Sequence, residues 1–207
     1  MNILFVVSEM AGLVKTGGLA DVALYLPQAL NKSGNETRVI LPYYRDIRLS
    51  LPNIEQTYSL TIRLHIEYQV KIHSFYHDDT QIYCVDIPEF FDREGLYSDS
   101  YHAYDDNGER YCVFSLAVLH FIQRFSGQIQ FNPDIFHCND WHSALLPALF
   151  NADSHWQQQA CKTLLTIHNG AFQGIFSKYS VPSILHLLGE FHYEFEDDVI
   201  NFLKLGI

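Results

Sequence analysis

The sequence predicts an α/β fold: a Rossmann-like, mostly parallel sheet with an antiparallel insertion. The parallel part is indicated by short, continuously apolar runs at residues 3–7 and 37–41, typical of strands covered on both faces, with a helical pattern between them. The insertion is indicated by strict alternation of apolar and polar residues from 60 to 66. With 207 residues and 48% hydrophobic content, the chain can bury a single core.

The first forty residues predict a βαβ unit with a right-handed crossover. Residues 3–7 form its first strand and residues 37–41 its second, with residues 33–35 ending the helix between them. The helical spacing comes from Leu19, Val22, Ala23, Leu26 and Leu30. Pro27 interrupts this pattern, and we expect it to kink the helix or to divide it in two.

The middle of the chain predicts the antiparallel insertion and then a loop. A second alternating run covers residues 70–76, residues 77–80 turn the chain, and a third strand follows at 81–86. Residues 89–108 are rich in aromatic and acidic side chains and predict a long surface loop.

The second half predicts a helix at 109–125, a strand at 133–138, a helix from about 143 to 150 and a strand at 163–167. Both strands end in polar sequences, residues 139–142 and 168–170. Ligands of parallel sheets bind beyond the carboxyl ends of the strands, so we expect these loops to meet the loop after the first strand at one edge.

That first loop, Lys15-Thr16-Gly17-Gly18, is a candidate phosphate cradle. Glycines allow close backbone approach, and a helix N-terminus offers free N–H groups and a positive dipole end. Lys15 is the only cation between residues 1 and 31. The loop matches neither the dinucleotide fingerprint nor the Walker pattern, so by itself it is more often a structural turn than a functional one, with Lys15 a solvated surface residue.

Composition excludes several classes of partner. A net charge of −11 argues against nucleic acid and against an anionic membrane surface, and it requires any phosphate site to be locally positive. Four widely spaced cysteines and an N-terminal apolar run too short for a signal sequence predict a reduced, cytoplasmic protein. His186, Glu190 and His192 share a predicted helix, but Gly189 interrupts it, so we expect no metal site.

Four sequence motifs occur in an informative order. They are Ser8-Glu9-Met10, residues 15–22 (Lys-Thr-Gly-Gly-Leu-Ala-Asp-Val), residues 137–142 (His-Cys-Asn-Asp-Trp-His) and residues 166–174 (Thr-Ile-His-Asn-Gly-Ala-Phe-Gln-Gly). Together they resemble the N-terminal domain of bacterial glycogen synthases and plant starch synthases, along essentially the whole chain. The resemblance implies that residues 1–207 are the acceptor-side, Rossmann-like half of a two-domain GT-B glycosyltransferase, incomplete at the C-terminal end and without the C-terminal nucleotide-binding domain.

The resemblance implies an activity: transfer of glucose from ADP-glucose to the non-reducing end of an α-1,4-glucan, with retention and without metal or cofactor. We expect this fragment to be inactive alone, because the second domain would carry half of the charge stabilisation. A non-catalytic glucan-binding module of the same fold and a related UDP-glucose-dependent transferase remain alternatives. The oligomeric state is left open.

The resemblance also implies roles for individual residues. Lys15 and the backbone of Gly17 and Gly18 lie near the donor diphosphate and glucose. His168 lies beside the donor sugar and orients a hydroxyl, or presents its backbone carbonyl to the anomeric carbon. His168 and Lys15 are the predicted catalytic residues.

Five further positions are predicted to bind substrate. Asn169 and Gln173 would bind sugar hydroxyls. Asp140 either caps a helix, or contacts the acceptor glucan or supports the cleft. Asp21 either complements the helix dipole or contacts donor glucose. Tyr97 matches a loop tyrosine linked to donor binding, with an aromatic plate for the acceptor as the alternative.

Overall fold

The computed structural model describes residues 1–187 and 198–207. The strands in these residues are β1 (Asn2–Val6), β2 (Glu36–Pro42), β3 (Gln56–Arg63), β4 (Glu67–His77), β5 (Thr80–Asp86), β6 (Ile135–Asn139), β7 (Lys162–Thr166), β8 (Ile175–Ser177) and β9 (Val199–Asn201). The helices are α1 (Gly18–Lys32), α2 (Arg45–Leu49), α3 (Pro88–Phe91), α4 (Asn107–Ile129), α5 (Trp141–Ala152), α6 (Ser154–Gln157), α7 (Pro182–Leu187) and α8 (Phe202–Gly206).

The main sheet has the strand order β3-β4-β5-β2-β1-β6-β7, and β8 pairs with β9 separately. Strands β5, β2, β1, β6 and β7 are parallel, whereas β3 and β4 are added antiparallel at one edge. The predicted mostly parallel sheet with an antiparallel insertion is therefore confirmed. Strand β5 belongs to both parts, since it pairs parallel with β2 and antiparallel with β4.

The strand order places a topological switch point at β1. From β1 the chain continues to β2 on one side, and β6 pairs with β1 on the other. The loops after β1 and β6 therefore leave the sheet toward opposite sides, which opens a crevice between them at the carboxyl ends of the strands.

The expected division of the first helix at Pro27 is wrong, because α1 runs unbroken from Gly18 to Lys32. Leu19, Ala23 and Pro27 recur every four residues and are all buried. Packing of this face holds the helix through the proline, although the ring removes one backbone hydrogen bond.

The surface loop expected at residues 89–108 is wrong in part. Residues 88–91 form α3, and α4 begins at Asn107 rather than Glu109. Phe91 is fully buried, with its ring centroid 5.5 Å from that of Tyr44 and 6.1 Å from that of Tyr111. Phe90 and Phe91 therefore anchor the start of this segment to the core, whereas Tyr101 is 85% exposed, as expected of a surface loop.

Helix α4 is the central helix of the domain. Residues 107–119 are buried without interruption, so the helix is covered on all sides. It packs against α5, α7, β3 and β5.

The four cysteines are free and buried. Among residues 1–187 and 198–207, no helix combines the length and hydrophobicity that a bilayer crossing requires. The side chains of His186, Glu190 and His192 lie outside what the structure describes. In the described part, no three His, Cys, Asp or Glu residues are grouped to hold a metal ion.

Candidate active site

A cleft of about 850 Å³ lies among the loops that follow β1, β6 and β7. Seven of the residues predicted from the sequence line it: Gly17, Gly18, Tyr97, Asp140, His168, Asn169 and Gln173. The other two, Lys15 and Asp21, lie near the cleft wall but not among the lining residues. The structure thus brings the three polar loops together.

The glycine loop is held by a buried carboxylate. Glu9, 3% exposed, accepts hydrogen bonds from the Thr16 backbone N–H at 2.5 Å and from the Thr16 hydroxyl at 2.8 Å. No side chain of the described residues caps the N-terminus of α1. A Cβ added at Gly18 would meet nothing within 4 Å, so packing within the chain does not require glycine there. The open backbone is available to a ligand.

Lys15 and Asp21 form an ion pair at the rim of this loop. The Lys15 Nζ lies 2.6 and 2.7 Å from the two carboxylate oxygens of Asp21. Both side chains are about half exposed, at 50% and 46%. Exposed pairs of this kind contribute only about 0–1 kcal/mol, so an anionic ligand can displace Asp21 at little cost.

Asp140 ties the loop after β6 to the loop after β7. Its Oδ1 accepts hydrogen bonds from the backbone N–H of His168 at 2.7 Å and of Asn169 at 3.2 Å. The Asp140 backbone N–H donates to the carbonyl of Thr166 at 2.9 Å. One residue therefore sets the path of the chain through His168 and Asn169.

The alternative interpretation of Asp140, a helix cap, is wrong. Asp140 stands at the N-terminal boundary of α5, but its side chain makes no capping hydrogen bond. The residue adopts φ 55° and ψ −177°, a conformation that is rare for any residue except glycine. This backbone conformation accompanies the turn of its carboxylate away from α5 and toward the β7 loop.

The predicted sugar-binding residues differ in which of their polar atoms already make hydrogen bonds within the chain. The Nε2 of His168 lies 2.9 Å from Asn139 Oδ1, a hydrogen-bond acceptor. Asn169 uses Oδ1 to accept from the Ala171 N–H at 3.0 Å. Gln173 uses Oε1 to accept from Asn201 Nδ2 at 2.6 Å. The groups with capacity to spare are His168 Nδ1, the amide nitrogen of Asn169 and one N–H of the Gln173 amide, whose other N–H donates to the Gly170 carbonyl at 3.3 Å.

Tyr97 and two aromatic neighbours form one wall of the cleft. The Tyr97 hydroxyl lies 2.8 Å from Ser8 Oγ, and burial raises the pKa of the phenol well above its usual value. Its ring centroid lies 4.6 Å from that of His142, which in turn lies 4.0 Å from that of Trp141. The rings are tilted by 31° at both contacts, and together with the protonated phenol they form a packed aromatic wall of the cleft.

The support behind this wall was not predicted from the sequence. Asn107 Nδ2 donates to the Tyr97 carbonyl at 2.8 Å, and the fully buried Arg110 donates to the Leu96 carbonyl at 3.0 Å and to Asn107 Oδ1 at 2.7 Å. The guanidinium also lies over the Phe91 ring, 5.1 Å from its centroid. The one signal in the sequence is the charged pair Glu109-Arg110 opening an otherwise apolar helix.

Two buried histidines near the cleft are held neutral. Burial, and then the positive charge of Arg110, lower the pKa of His142 to about 3. Burial, and then the neighbouring His168, lower the pKa of His137 to about 4. The interior behind the cleft therefore adds no histidine charge near neutral pH.

Gly174 lets the loop after β7 close on the cleft. It has φ +65°, and a Cβ there would lie 2.7 Å from Trp141 Cε3. Gly170 in the same loop would meet nothing within 4 Å. The loop therefore packs against Trp141 only because residue 174 lacks a side chain.

The whole chain is similar to proteins of a known family. A family model described as the starch synthase catalytic domain matches residues 2–207. A glycogen synthase of Aeromonas salmonicida is 38% identical over all of this chain and 43% of its own length. A glycogen synthase of Vibrio cholerae is 40% identical over all of this chain and 42% of its own length.

A solved structure shares the fold. It is the catalytic domain of starch synthase IV from Arabidopsis thaliana bound to ADP and acarbose, with a TM-score of 0.80, 23% identity, and coverage of 99% of this chain and 42% of that one. The chain thus spans less than half the length of the relatives it matches.

Replacing Asp140 tests its role as the link between the two loops. Asp140→Ala leaves two backbone N–H groups without their acceptor, and we expect the free energy of unfolding to fall by about 3 kcal/mol. Asp140→Asn keeps an oxygen acceptor and should lose less. Urea unfolding measures the stability, and amide exchange of His168 and Asn169 localises the effect. Unchanged exchange of both amides in Asp140→Ala would contradict this role.

Two glycines of one loop offer a matched comparison. Gly174→Ala places a methyl group against Trp141 at a positive φ, and we expect a stability loss of about 1–3 kcal/mol and a displaced loop. Gly170→Ala should change the unfolding free energy by less than about 0.5 kcal/mol. Denaturant titrations with tryptophan fluorescence measure both. Equal losses in the two variants would show that the packing against Trp141 is not decisive.

The two neutral histidines, His137 and His142, predict that the folded chain loses stability in acid. Because the folded pKa values of His137 and His142 lie below the usual 6.5, the unfolded chain binds more protons, and stability is lost as the pH falls from 6.5 toward 4. In that window, each histidine makes the free energy of unfolding fall by about 1.4 kcal/mol per unit decrease in pH. His142→Gln should remove one such contribution, measured by urea unfolding between pH 7 and 4.5. His102→Gln, at an exposed position, serves as the control and should leave the slope unchanged.

Proposed function

The chain belongs to the starch synthase catalytic domain family, and from that premise we propose that it forms the acceptor-side half of an ADP-glucose-dependent glucosyltransferase. In this proposal the enzyme transfers glucose to the non-reducing end of an α-1,4-glucan with retention of configuration. The observation that carries the proposal is the meeting of the glycine loop with the Asp140-ordered His168-Asn169 loop in one cleft.

The diphosphate of the donor would lie at the glycine loop. The uncapped N-terminus of α1 offers backbone N–H groups, and the open surface at Gly18 allows a phosphate to approach them. Lys15 would leave Asp21 for the diphosphate and stabilise the charge that develops on it as the glycosidic bond breaks. Asp21, once released, could accept from a donor hydroxyl.

The donor sugar would lie against the loop after β7. The ring of His168 lines the cleft and would orient a hydroxyl, with the Asn169 amide contributing a second hydrogen bond. Gln173, whose carbonyl oxygen already accepts from Asn201, would bind through its amide nitrogen.

The acceptor glucan would lie against the Tyr97, His142 and Trp141 wall. Aromatic rings bind the apolar face of a glucose ring. The Tyr97 hydroxyl is held in place by its hydrogen bond with Ser8. Asp140 Oδ2 makes no hydrogen bond to the described residues, so it is available to an acceptor hydroxyl while Oδ1 holds the loop.

We infer that turnover needs the part of the relatives that this chain does not cover, since it spans 42–43% of their length. The non-catalytic glucan-binding module remains the second candidate, and the aromatic wall is the observation that favours it. A UDP-glucose donor stays open, because no described contact reads the nucleotide base. Four free, buried cysteines support a cytoplasmic location.

Substituting Lys15 tests the donor site in the chain itself. Lys15→Ala should weaken ADP-glucose binding about tenfold, which corresponds to about 1.4 kcal/mol, and leave maltoheptaose binding unchanged. Lys32→Ala, in the last turn of α1, removes the same charge and should affect neither ligand. Titration calorimetry or NMR shift mapping measures both affinities.

The outcomes separate the two candidates. Maltoheptaose binding without any ADP-glucose binding would favour the glucan-binding module. Incorporation of labelled glucose into glycogen by the 207-residue chain alone would contradict the inference that turnover needs more of the polypeptide.

A further inference from the structure

Asn139, the last residue of β6, is fully buried and has a fixed amide orientation. Its Nδ2 donates to the backbone carbonyls of Val6 at 3.2 Å and of His137 at 3.0 Å. Carbonyl oxygens only accept hydrogen bonds, so the nitrogen must face them. The Oδ1 atom therefore faces the other way, toward His168.

This orientation determines which ring nitrogen of His168 carries the proton. The His168 Nε2 lies 2.9 Å from Asn139 Oδ1, and an amide oxygen only accepts. The Nε2 atom must donate, so the neutral ring carries its lone pair on Nδ1. The Nδ1 atom makes no hydrogen bond to the residues that the structure describes, and the ring lines the cleft.

The surroundings hold Asn139 in place. Its backbone N–H donates to Ser143 Oγ at 2.6 Å, and Ser143 Oγ donates to the Asn139 carbonyl at 2.9 Å. The charged neighbour Asp140 engages the backbone N–H of His168 rather than its ring. The neighbouring His137 lies within hydrogen-bond distance of Thr166, its Nε2 2.8 Å from Oγ1.

We propose that Asn139 is a positioning residue that fixes the Nε2–H tautomer of His168 and so leaves Nδ1 as a hydrogen-bond acceptor toward the cleft. If the proposed function holds, a hydroxyl of the donor sugar donates a hydrogen bond to this Nδ1 atom. The tautomer itself rests only on the contacts within the chain.

Long-range proton–nitrogen NMR on the chain with ¹⁵N-labelled histidine reads the tautomer directly. At neutral pH the wild-type His168 should show a protonated Nε2 and an unprotonated Nδ1, with the signals assigned by their loss in His168→Gln. A protonated Nδ1 with a bare Nε2 would overturn the proposal.

Two variants test Asn139 as the cause. Asn139→Leu removes the acceptor, and a second tautomer should appear for His168. Asn139→Asp keeps an oxygen acceptor, so Nε2 should stay protonated. Asn169→Leu, at a side chain whose Oδ1 does not contact the ring, is the matched control and should leave the pattern unchanged.

Folding of each variant is checked from its amide spectrum. If Asn139→Leu does not fold, the wild-type pattern and Asn139→Asp still decide the question, since a loss of the Nε2 proton in Asn139→Asp at neutral pH would overturn the proposal. Addition of ADP-glucose to the wild type should shift Nδ1. If the wild type shows the Nε2–H tautomer but ADP-glucose does not shift Nδ1, the result would support the role of Asn139 and count against the proposed function.

Discussion

The hydrogen bonds from the Asp140 carboxylate to the backbone of His168 and Asn169 are the interactions on which the site depends. They join two loops that are 28 residues apart in sequence at the carboxyl ends of adjacent parallel strands. The backbone of Asp140 lies in a region that costs about 1–3 kcal/mol for a residue with a side chain. Charge-assisted hydrogen bonds to a buried carboxylate are strong enough to offset this strain.

The same loop connection orders the rest of the cleft. With Asp140 turned toward the β7 loop, His168 reaches Asn139, and Gly174 brings the loop against Trp141. The opposite wall is held from behind by Arg110, a buried cation that the described residues surround with carbonyl oxygens and aromatic rings rather than with a carboxylate. Both walls are thus positioned by buried polar groups, of which Asn139 and Arg110 lie outside the lining of the cleft.

The electrostatics of the cleft reconcile an acidic chain with an anionic ligand. Glu9 and Asp21 are both close to the glycine loop, so the loop is not surrounded by positive charge. The uncapped N-terminus of α1 and a lysine held by a weak, exposed ion pair are the local attractions that remain. The buried histidines His137 and His142 stay neutral and leave this balance unchanged near neutral pH.

Periodic burial is a local property, so the residue pattern was enough to predict the parallel strands and the antiparallel insertion. The glycine loop followed from a short motif, and the edge where the polar loops meet followed from the direction of parallel strands. The direction of a side chain depends on partners distant in sequence. Tertiary contacts are therefore what turn Asp140 from α5 to His168, face Asn139 toward the ring of His168, and fold residues 88–91 into a helix that buries Phe90 and Phe91. Each outcome depends on contacts that no local pattern encodes.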